Sequence, residues 1–416
     1  MTRLPDAPWR HRAGMDRLLA ALDARGGATR FVGGCVRDAL LELEQSDVDL
    51  ATRLTPEEVV KRLEAARIKA VPTGIAHGTI TAVIAGRPVE VTTLRRDVTT
   101  DGRRATVAFT DDWTEDAARR DFTINALSAD PLGGEVFDYF GGLADLAVRR
   151  VRFIGDPLQR IAEDHLRILR FFRFHARFGA GDPDPAGLEA CAARANDLMA
   201  LSRERIADEL LKLLALPDPV ATVRLMIERG IFRPVLPEID SAARLARLVA
   251  AERAADIAPD PIRRLAALLP VDPKAAAEVA ARLRLSNRQM KRLVSAAQTD
   301  IDVPRRRPGP RADSDWAPAS AGEQVLAYRI GAAEAVDRIL LHGTPGPDLK
   351  LLEAWQRPRL PVSGGDLIAM GLTAGPEVAA ALQATEREWI EAGFPADKAA
   401  VRAMARRHVA QALRRA

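Results

Sequence analysis

A pair of glycines between a short apolar run and a helical pattern is the first feature of the sequence that suggests chemistry. The segment Phe31–Asp38 reads FVGGCVRD. Because Gly33 and Gly34 have no side chains, backbone N–H groups can approach a bound anion there, and the dipole of the following helix adds to the attraction. Arg37 lies in the first helical turn and can reach the same anion. A strand-to-helix turn without a ligand would have the same sequence, so the pair alone assigns no function.

Two carboxylates follow in the segment Ser46–Thr52, which reads SDVDLAT. On a strand, Asp47 and Asp49 would point to the same face. Like charges side by side on an otherwise apolar strand are costly unless a cation neutralises them, and Mg²⁺ commonly takes one or two carboxylates together with substrate phosphates. A solvent-facing edge strand is the alternative. The Gly-Gly turn upstream favours a site in which one element holds a triphosphate and the other holds the metal that neutralises its charge.

A third carboxylate, Glu90, lies in the segment Pro88–Leu94. That segment predicts a neighbouring strand, on which Glu90 and Thr92 share a face. Glu90 either completes a two-metal catalytic site or is a solvated strand residue, and the pattern favours neither interpretation.

Charged residues also cluster in the segment Arg119–Leu127, which reads RRDFTINAL. Two arginines beside an aspartate are typical of a surface ion pair. An apolar stretch follows them, however, so we expect Arg120 and its neighbours to lie at the end of an element and to face a cleft.

A stripe of charged residues runs through the helical pattern Ala162–Phe174 in steps of three: Asp164, Arg167, Arg170 and Arg173. Each step lags a helical turn by about 60°, so the stripe winds around the helix. Asp164 and Arg167 are therefore predicted to be neighbours that act as a unit, whereas Arg173 is predicted to contact something else. The alternative is a ladder of salt bridges worth roughly a few tenths of a kcal/mol.

The elements that must position these residues change in type along the chain. Strand patterns are confined to the first third, and we predict strands at Thr29–Val32, Asp47–Thr52, Thr79–Ala85 and Val89–Leu94. Pro56–Ala66 predicts a helix, and the polar stretch Asp97–Thr106 predicts a mobile loop. After Asp156, helical patterns continue to the C-terminus, interrupted by a predicted linker at Pro304–Pro310 and a joint at Pro358–Pro361. The predicted fold class is an α/β head followed by an all-α remainder.

The composition is that of an ordinary globular protein. The chain has 416 residues, of which 47% are hydrophobic and 28% charged, and this balance excludes wholesale disorder and a collagen-like repeat. Its length is sufficient for roughly two to four domains. The formal net charge is only +4, but seven of the 61 basic residues are lysine and the rest are arginine. Since guanidinium binds phosphate in a bidentate manner, this excess favours a polyanionic partner, unless it reflects genome composition alone.

Several other classes are excluded by what the sequence lacks. Cys35 and Cys191 lie far apart without CxxC spacing, so neither a zinc site nor a disulfide framework is predicted. No apolar run approaches the length of about 18 residues that a membrane span needs, and the polar N-terminus lacks a signal-peptide core. We therefore expect a cytoplasmic protein. No histidine lies between positions 176 and 341, which argues against a His-Asp metal-hydrolase cluster in the helical middle.

Taken in order, these segments resemble the superfamily of class II tRNA nucleotidyltransferases and bacterial poly(A) polymerases. The similarity runs from about Thr29 to Leu216 and rests on FVGGCVRDALL, SDVDLAT, GIAHGTITAVIAGRPVEVTT, RRDFTINAL, DYFGGLADL, IGDPLQRIAEDHLRILRFFRF and LSRERIADELLKLL. Within the superfamily, the chain is more similar to the CCA-adding enzymes, because HGTITAVIAGRPVEVTT looks like their second sheet segment. A weaker similarity covers the segment Leu360–Gly371.

The resemblance implies a polymerase-β-like nucleotidyltransferase head at residues 1–150, a helical neck with a nucleotide-selecting helix at 151–216, and a tRNA-binding body and tail at 217–416. It implies Mg²⁺ on Asp47 and Asp49. Triphosphate contacts are expected from Gly33, Gly34, Arg37 and Arg120, and the nucleotide site from Asp164, Arg167, Arg170 and Arg173. Neither a membrane nor an obligate protein partner is expected.

The activity that the resemblance implies is the addition of C, C and A to the 3′ end of tRNA from CTP and ATP, without a template and with release of pyrophosphate. Cytosine and adenine both present an exocyclic amine beside a ring-nitrogen acceptor. Asp164 can accept from the amine while Arg167 donates to the ring nitrogen, and uracil and guanine reverse that pattern. By analogy with base reading in DNA, such a pair discriminates by about 1–3 kcal/mol.

Other activities remain open at this point. They are poly(A) polymerisation, the addition of only CC or only A, and a non-catalytic RNA-binding role on the same scaffold, against which the intact pair Asp47 and Asp49 argues. Arg305–Arg307 in the linker either contact RNA backbone or are simply solvated. Two departures from the family pattern are visible: Glu42 follows the paired leucines where a glycine is usual, and Ala379 stands where relatives often have glycine.

Overall fold

The computed structural model describes residues 2–44, 47–75, 78–101, 104–299, 321–343, 345–346 and 349–414. The chain divides into two compact units, Met1–Asp240 and Ser241–Ala416. The head and neck predicted from the sequence therefore fall within one unit, and the division at positions 150 and 216 stays a prediction. The predicted linker Pro304–Pro310, with its three arginines, lies outside the described residues.

The first unit contains a mixed β-sheet that carries all four predicted strands. The strands described are β1 (Thr29–Val32), β2 (Asp49–Thr52), β3 (Lys69–Gly74), β4 (Thr79–Ile84), β5 (Arg87–Thr93), β6 (Arg95–Asp101), β7 (Arg104–Phe109), β8 (Ser128–Ala129) and β9 (Val136–Phe137). Seven of them form one sheet in the order β3-β4-β5-β2-β1-β8-β9. Only the β2–β5 pair in that sheet is parallel, and β6 pairs with β7 as a separate hairpin.

The register of the central strands separates an apolar face from a polar one. Leu50 lies opposite Phe31 on one side and Val91 on the other, and all three side chains are buried. Because successive side chains alternate between the faces, Asp49 and its neighbour Glu90 on β5 share the opposite face. This confirms Glu90 on the strand next to the paired aspartates. Strand β2 begins at Asp49, however, so the prediction that Asp47 lies on the strand is wrong.

The ten helices described in this unit cover the sheet and continue beyond it. They are α1 (Met15–Ala21), α2 (Gly34–Leu40), α3 (Pro56–Ala65), α4 (Trp113–Ala118), α5 (Gly142–Ala147), α6 (Pro157–Glu163), α7 (Arg167–Phe178), α8 (Pro185–Ala193), α9 (Arg203–Leu214) and α10 (Val220–Glu228). Helix α3 confirms the prediction at Pro56–Ala66. Thr55 and Glu58 form a capping box at its start, and Val59 and Leu63 are buried.

The predicted mobile loop at Asp97–Thr106 is wrong, because β6 and β7 occupy this stretch. Its polar composition favoured a loop, yet many of its polar residues are threonines, which have a high β propensity. The β propensity of the threonines was the better guide here.

Helix α7 is attached to the sheet part of the unit by stacked aromatic rings. The ring of Phe153 stacks on that of Phe171 at a centroid distance of 5.5 Å. Phe122 contacts Phe153 at 5.0 Å and Phe174 at 5.1 Å. Phe122, Phe153 and Phe171 are each almost fully buried, so the helix cannot shift without exposing large apolar rings.

The described part of the second unit contains only helices, as predicted. They are α11 (Ala243–Ala254), α12 (Pro261–Leu268), α13 (Pro273–Arg282), α14 (Asn287–Ala296), α15 (Ala321–Ile330), α16 (Ala332–His342), α17 (Leu349–Glu353), α18 (Gly364–Ala369), α19 (Pro376–Glu391) and α20 (Lys398–Leu413). The predicted joint Pro358–Pro361 lies between α17 and α18. Glu252 joins α11 to α12 through buried ion pairs of 2.8 Å to Arg263 and to Arg264. No helix among the described residues is long and apolar enough to cross a membrane.

Glu42, the departure noted in the sequence, occupies a position that favours glycine. Helix α2 ends in a Schellman motif, in which the N–H of Glu42 donates to Ala39 O at 3.1 Å and that of Leu43 donates to Asp38 O at 2.9 Å. The motif requires a left-handed residue, and Glu42 has φ 56°. The side chain therefore strains the backbone at this point.

Replacing Glu42 with glycine should stabilise the protein by about 0.5–1 kcal/mol, because the relief of strain exceeds the extra flexibility that glycine gives to the unfolded chain. Urea-induced unfolding followed by circular dichroism measures the change. Glu42→Ala is the matched control: it removes the carboxylate but keeps a Cβ, so it should leave stability nearly unchanged. An equal gain in both variants would attribute the effect to charge and contradict the strain argument.

Candidate active site

A polar cavity of about 610 Å³ in the first unit brings together most of the residues singled out in the sequence. Nine of the eleven predicted site residues line it: Gly33, Gly34, Arg37, Asp47, Asp49, Arg120, Asp164, Arg167 and Arg170. Glu90 and Arg173 do not belong to the lining. The cavity therefore joins segments that are more than a hundred residues apart in sequence.

The Gly-Gly turn forms part of the cavity wall. Gly33 lies between β1 and α2 with a φ of 68°, a positive value that favours glycine. A Cβ at this position would also lie 2.8 Å from Nη1 of Arg120, so a larger residue would displace that arginine. At Gly34 a Cβ would make only an ordinary contact with Arg37. Gly33 is thus the glycine that the geometry requires.

Arg37 is held rigidly although it points into a polar cavity. Its Nε donates to Asp38 at 2.7 Å, its Nη1 donates to the side-chain oxygen of Asn125, and its guanidinium lies 4.0 Å from the ring centroid of Phe178. The side chain is buried, and burial lowers the pKa of Arg37. The nearby Asp38 opposes this shift but does not cancel it. A fixed guanidinium beside a glycine turn suits the binding of phosphate oxygens.

The paired aspartates lie at the beginning of β2. Asp47 is exposed and precedes the strand, whereas Asp49 is partly buried. Burial raises the pKa of Asp49 to about 6, with further contributions from Glu90 and Asp47, while Arg120 opposes the shift. The neighbouring carboxylates therefore repel one another, and a bound cation would reduce that repulsion.

The donor set fits Mg²⁺, which takes oxygen ligands and keeps several of them from water and substrate. Among the described residues, no three side chains of His, Cys, Asp or Glu are close enough to hold a metal ion by themselves. The metal that Asp47 and Asp49 would hold therefore needs further ligands from substrate and water. Glu90 is exposed beside Asp49, and its predicted role as a third catalytic carboxylate stays a prediction.

The arginines of the RRDFTINAL segment face the cavity, as expected, and each is paired. Asp116 accepts from Arg119 at 2.7 Å and from Arg120 at 3.2 Å. Asp121 is buried, which by itself raises the pKa of its carboxyl, but Arg170 and Asn125 outweigh the burial and lower it. The ionised Asp121 is thus part of a hydrogen-bonded network rather than a surface ion pair.

The prediction that Asp164 and Arg167 neighbour each other on one helix is wrong in its local structure. Helix α6 ends at Glu163 and α7 begins at Arg167, and Asp164 between them is extended, with φ −152° and ψ 105°. Its Oδ1 accepts from the N–H of Leu166 at 3.1 Å, a local bond by which aspartate competes with helix formation. The spacing of charges could not reveal this break.

Asp164 and Arg167 nevertheless line the same cavity without forming an ion pair with each other. Oδ2 of Asp164 accepts from Arg205 of α9 at 2.8 Å. Arg167 donates to Glu163 at 2.6 Å and to the backbone oxygen of Arg119 at 3.0 Å. Each side chain is fixed by a different partner and keeps hydrogen-bonding capacity for a ligand.

The remaining two arginines of the stripe separate, as the winding predicted. Arg170 lines the cavity and donates to Asp121 at 2.8 Å from Nε and at 2.5 Å from Nη2. Arg173 turns away and binds Glu209 of α9 at 2.6 Å. Arg173 therefore supports the packing of α7 on α9, and its predicted nucleotide contact stays a prediction.

Sequence reasoning assigned no role to several residues that shape the cavity. Arg119, Asp121, Asn125 and Phe174 line it, and Arg205 fixes Asp164. Asp121 and Asn125 are four positions apart in the RRDFTINAL segment, a spacing that marked them only as part of a motif. No local pattern connects Arg205 with Asp164, since a long stretch of chain separates them.

Asp121→Asn should destabilise the protein by about 3 kcal/mol at pH 7, because Arg170 would lose its buried counter-charge. The pKa of Asp121 is lower in the folded than in the unfolded chain, so its contribution is present above about pH 4 and is lost as the pH falls below that value. Urea unfolding at pH 7 and pH 3, with the exposed Asp111→Asn as a control, measures this. The same loss at both pH values would contradict the ion-pair argument.

Comparison with known proteins identifies the family. The model of the Poly A polymerase head domain matches residues 29–152, and that of the probable RNA and SrmB-binding site of polymerase A matches residues 182–243. The mitochondrial CCA tRNA nucleotidyltransferase 1 of Mus musculus is 36% identical over 374 residues, which cover 89% of this chain and 84% of the relative. Its Homo sapiens counterpart is 34% identical over 375 residues, with the same coverage.

A solved structure agrees with these relatives. The CCA-adding enzyme of Bacillus stearothermophilus in complex with CTP superposes with a TM-score of 0.71 and 28% identity, covering 96% of this chain and 98% of that chain. Similarity of sequence and of fold thus extends over nearly the whole chain. The chain belongs to the family of CCA-adding tRNA nucleotidyltransferases.

Proposed function

We propose that the protein adds C, C and A to the 3′ end of tRNA from CTP and ATP, without a nucleic-acid template and with release of pyrophosphate. The observation that carries the proposal is one cavity lined by a glycine turn, by fixed arginines and by a pair of aspartates. Asp164 and Arg167 line the same cavity. The relatives in its family are named for this activity, and one is described in complex with CTP.

In the proposed mechanism, the chain positions three parts of the substrate. Arg37 and Arg120, beside Gly33, bind the triphosphate and neutralise the charge that develops on the leaving pyrophosphate. Asp47 and Asp49 hold Mg²⁺, which when bound supplies further neutralisation at the transferring phosphate. The tRNA 3′-hydroxyl then attacks the α-phosphate and releases its proton to water. The bond between the α-phosphorus and the oxygen that bridges it to the β-phosphorus breaks, and pyrophosphate leaves.

The choice of base is assigned to Asp164 and Arg167. Asp164 accepts from the exocyclic amine of cytosine or adenine, and Arg167 donates to the adjacent ring nitrogen. The bonds that these side chains already make to Arg205 and Glu163 hold them in place. Because the protein itself presents this edge, no template strand is needed.

The decisive experiment incubates the purified protein with Mg²⁺, tRNA lacking its 3′ end, and labelled CTP and ATP, separately and together. Sequencing of the products should find CCA and no further addition. A homopolymeric adenosine tail would indicate a poly(A) polymerase, products that stop after CC or start only from CC would indicate a partial activity, and binding without incorporation would indicate a non-catalytic protein. Cytoplasmic localisation stays a prediction, since the mouse and human relatives are named as mitochondrial.

Asp47→Ala and Asp49→Ala should each lower the incorporation of both CMP and AMP by about 100-fold or more, because charge neutralisation by a metal is worth several kcal/mol. Binding of tRNA should change little. Rates are measured over a range of Mg²⁺ concentrations, with the exposed Asp111→Ala as the matched control. Glu90→Gln is measured in parallel, and a loss like that of Asp49→Ala would make Glu90 a third ligand. Wild-type turnover in either aspartate variant would refute the metal assignment.

Asp164→Ala should reduce the preference for CTP and ATP over UTP and GTP by about 10-fold, the selectivity expected from one base-reading pair. The measured quantity is the ratio of incorporation efficiencies for the four nucleotides. Arg205→Ala is the control, because it removes the partner of Asp164 but leaves the carboxylate as an acceptor. If the two variants lose selectivity equally, Asp164 acts through its ion pair and not through the base.

A further inference from the structure

The side chain of Asn125 hydrogen-bonds to two oppositely charged groups, the guanidinium of Arg37 and the carboxylate of Asp121. Its oxygen accepts from Nη1 of Arg37, and its Nδ2 donates to Oδ1 of Asp121 at 2.8 Å. A guanidinium offers only donors and an ionised carboxylate only acceptors, so the connecting group must accept on one side and donate on the other. An amide does both, and Asn125 is buried.

The connection continues from Asp121 to Arg170, which also lines the cavity. Oδ2 of Asp121 accepts from Arg170 on α7 at 2.8 Å and 2.5 Å. Arg170 lines the cavity together with Asp164 and Arg167, which the proposed function assigns to base reading. The path Arg37–Asn125–Asp121–Arg170 therefore links the arginine beside the glycine turn with the region where the base would lie.

We propose that Asn125 is a positioning residue that sets the placement of the triphosphate-binding Arg37 relative to the base-reading end of the cavity. The inference rests on the proposed function, because it assigns those two ends to the two parts of a nucleoside triphosphate. Correct placement of the α-phosphate for attack depends on both ends being held at a fixed separation. Asn125 also lines the cavity, but its side-chain amide is bonded to Arg37 and Asp121, and it acts through these two residues.

Two substitutions remove the two-sided hydrogen bonding in different ways. N125L keeps the branching at Cγ but cannot form hydrogen bonds, so it leaves Arg37 and Asp121 each without one partner. N125D keeps the acceptor for Arg37 but places a second carboxyl group against Asp121. N196D makes the same chemical change on an exposed side chain of the same unit and is the control.

In N125L, kcat/KM for CTP and for ATP should fall by about 10- to 100-fold, as for other small misplacements of reacting groups. The preference for CTP over UTP should fall by about 5-fold or more, which is within the range that one base contact provides. A merely structural role would reduce the fraction of folded enzyme, which lowers kcat and leaves KM and the nucleotide preference unchanged. Wild-type KM and preference in folded N125L would overturn the proposal.

The pH dependence of N125D provides a second readout. Two carboxyl groups in contact do not both ionise readily, so one takes up a proton as the pH falls, and a protonated carboxyl can donate as the amide does. The charged groups around the pair are Arg120, which donates to the backbone oxygen of Asn125 at 3.3 Å, Arg37 and Asp38 of α2, Arg170 and Arg177 of α7, and Glu209 of α9. The activity of N125D relative to wild type should therefore rise by about 3-fold or more between pH 8 and pH 6, as one carboxyl of the pair becomes protonated. The activity of N125L relative to wild type should not change with pH. If the relative activity of both variants is independent of pH, the positioning role is contradicted.

The design separates failure of this inference from failure of the proposed function. If wild-type protein adds no nucleotide to tRNA but N125L weakens CTP binding in calorimetry, the function is wrong and the positioning role stands. If wild-type protein is active and N125L and N125D resemble N196D, the positioning role is wrong and the function stands. Should both variants melt below the assay temperature, N125S, which keeps a smaller group that donates and accepts, must show the same direction of change in nucleotide preference.

Discussion

The geometry of the cavity depends on the ion pair between Asp121 and Arg170. Asp121 lies in the segment that follows α4, and Arg170 lies on α7, so the pair fixes α7 against that segment. A carboxylate at this depth would be strongly disfavoured alone, and it is compensated by Arg170, Asn125 and the N–H of Phe122. Helix α7, which carries Arg170, also brings Arg167 to the cavity, so this one compensated charge helps to position the residues that we propose to read the base.

An apolar layer directly beneath the charges makes this arrangement possible. The rings of Phe122, Phe153, Phe171 and Phe174 form one contiguous cluster, and Arg170 lies 5.1 Å from the centroid of Phe174. The cluster excludes water from one side of the ion pairs, which strengthens them, and the guanidinium gains from contact with an aromatic face. The ion pair of Arg170 and the packing of the aromatic rings thus both hold α7 in place.

The sequence predicted the head, the four central strands and most of the residues of the cavity, because glycines, paired acids and strand patterns are local signals. Glu90 could be assigned to a neighbouring strand, since alternation alone defines its face. The break at Asp164 was not predictable from spacing, because it depends on a hydrogen bond between Asp164 and the backbone of Leu166 that competes with the helix. Arg205 and Glu209 were missed for a different reason. Their partners are Asp164, between α6 and α7, and Arg173 on α7, and only packing brings them together.

The parallel pairing of β2 with β5 has a consequence for how the protein is made. Asp49 and Glu90 become neighbours only after α3, β3 and β4 have folded between them, and closing such a long connection is a slow, entropically opposed step. The N–H of Gly33 donates to the backbone oxygen of Leu127, and Asp164 accepts from Arg205, so both contacts need residues that are synthesised much later. We expect a chain still emerging from the ribosome to have no formed cavity until α9 has been synthesised, so that nucleotide binding begins abruptly, late in translation.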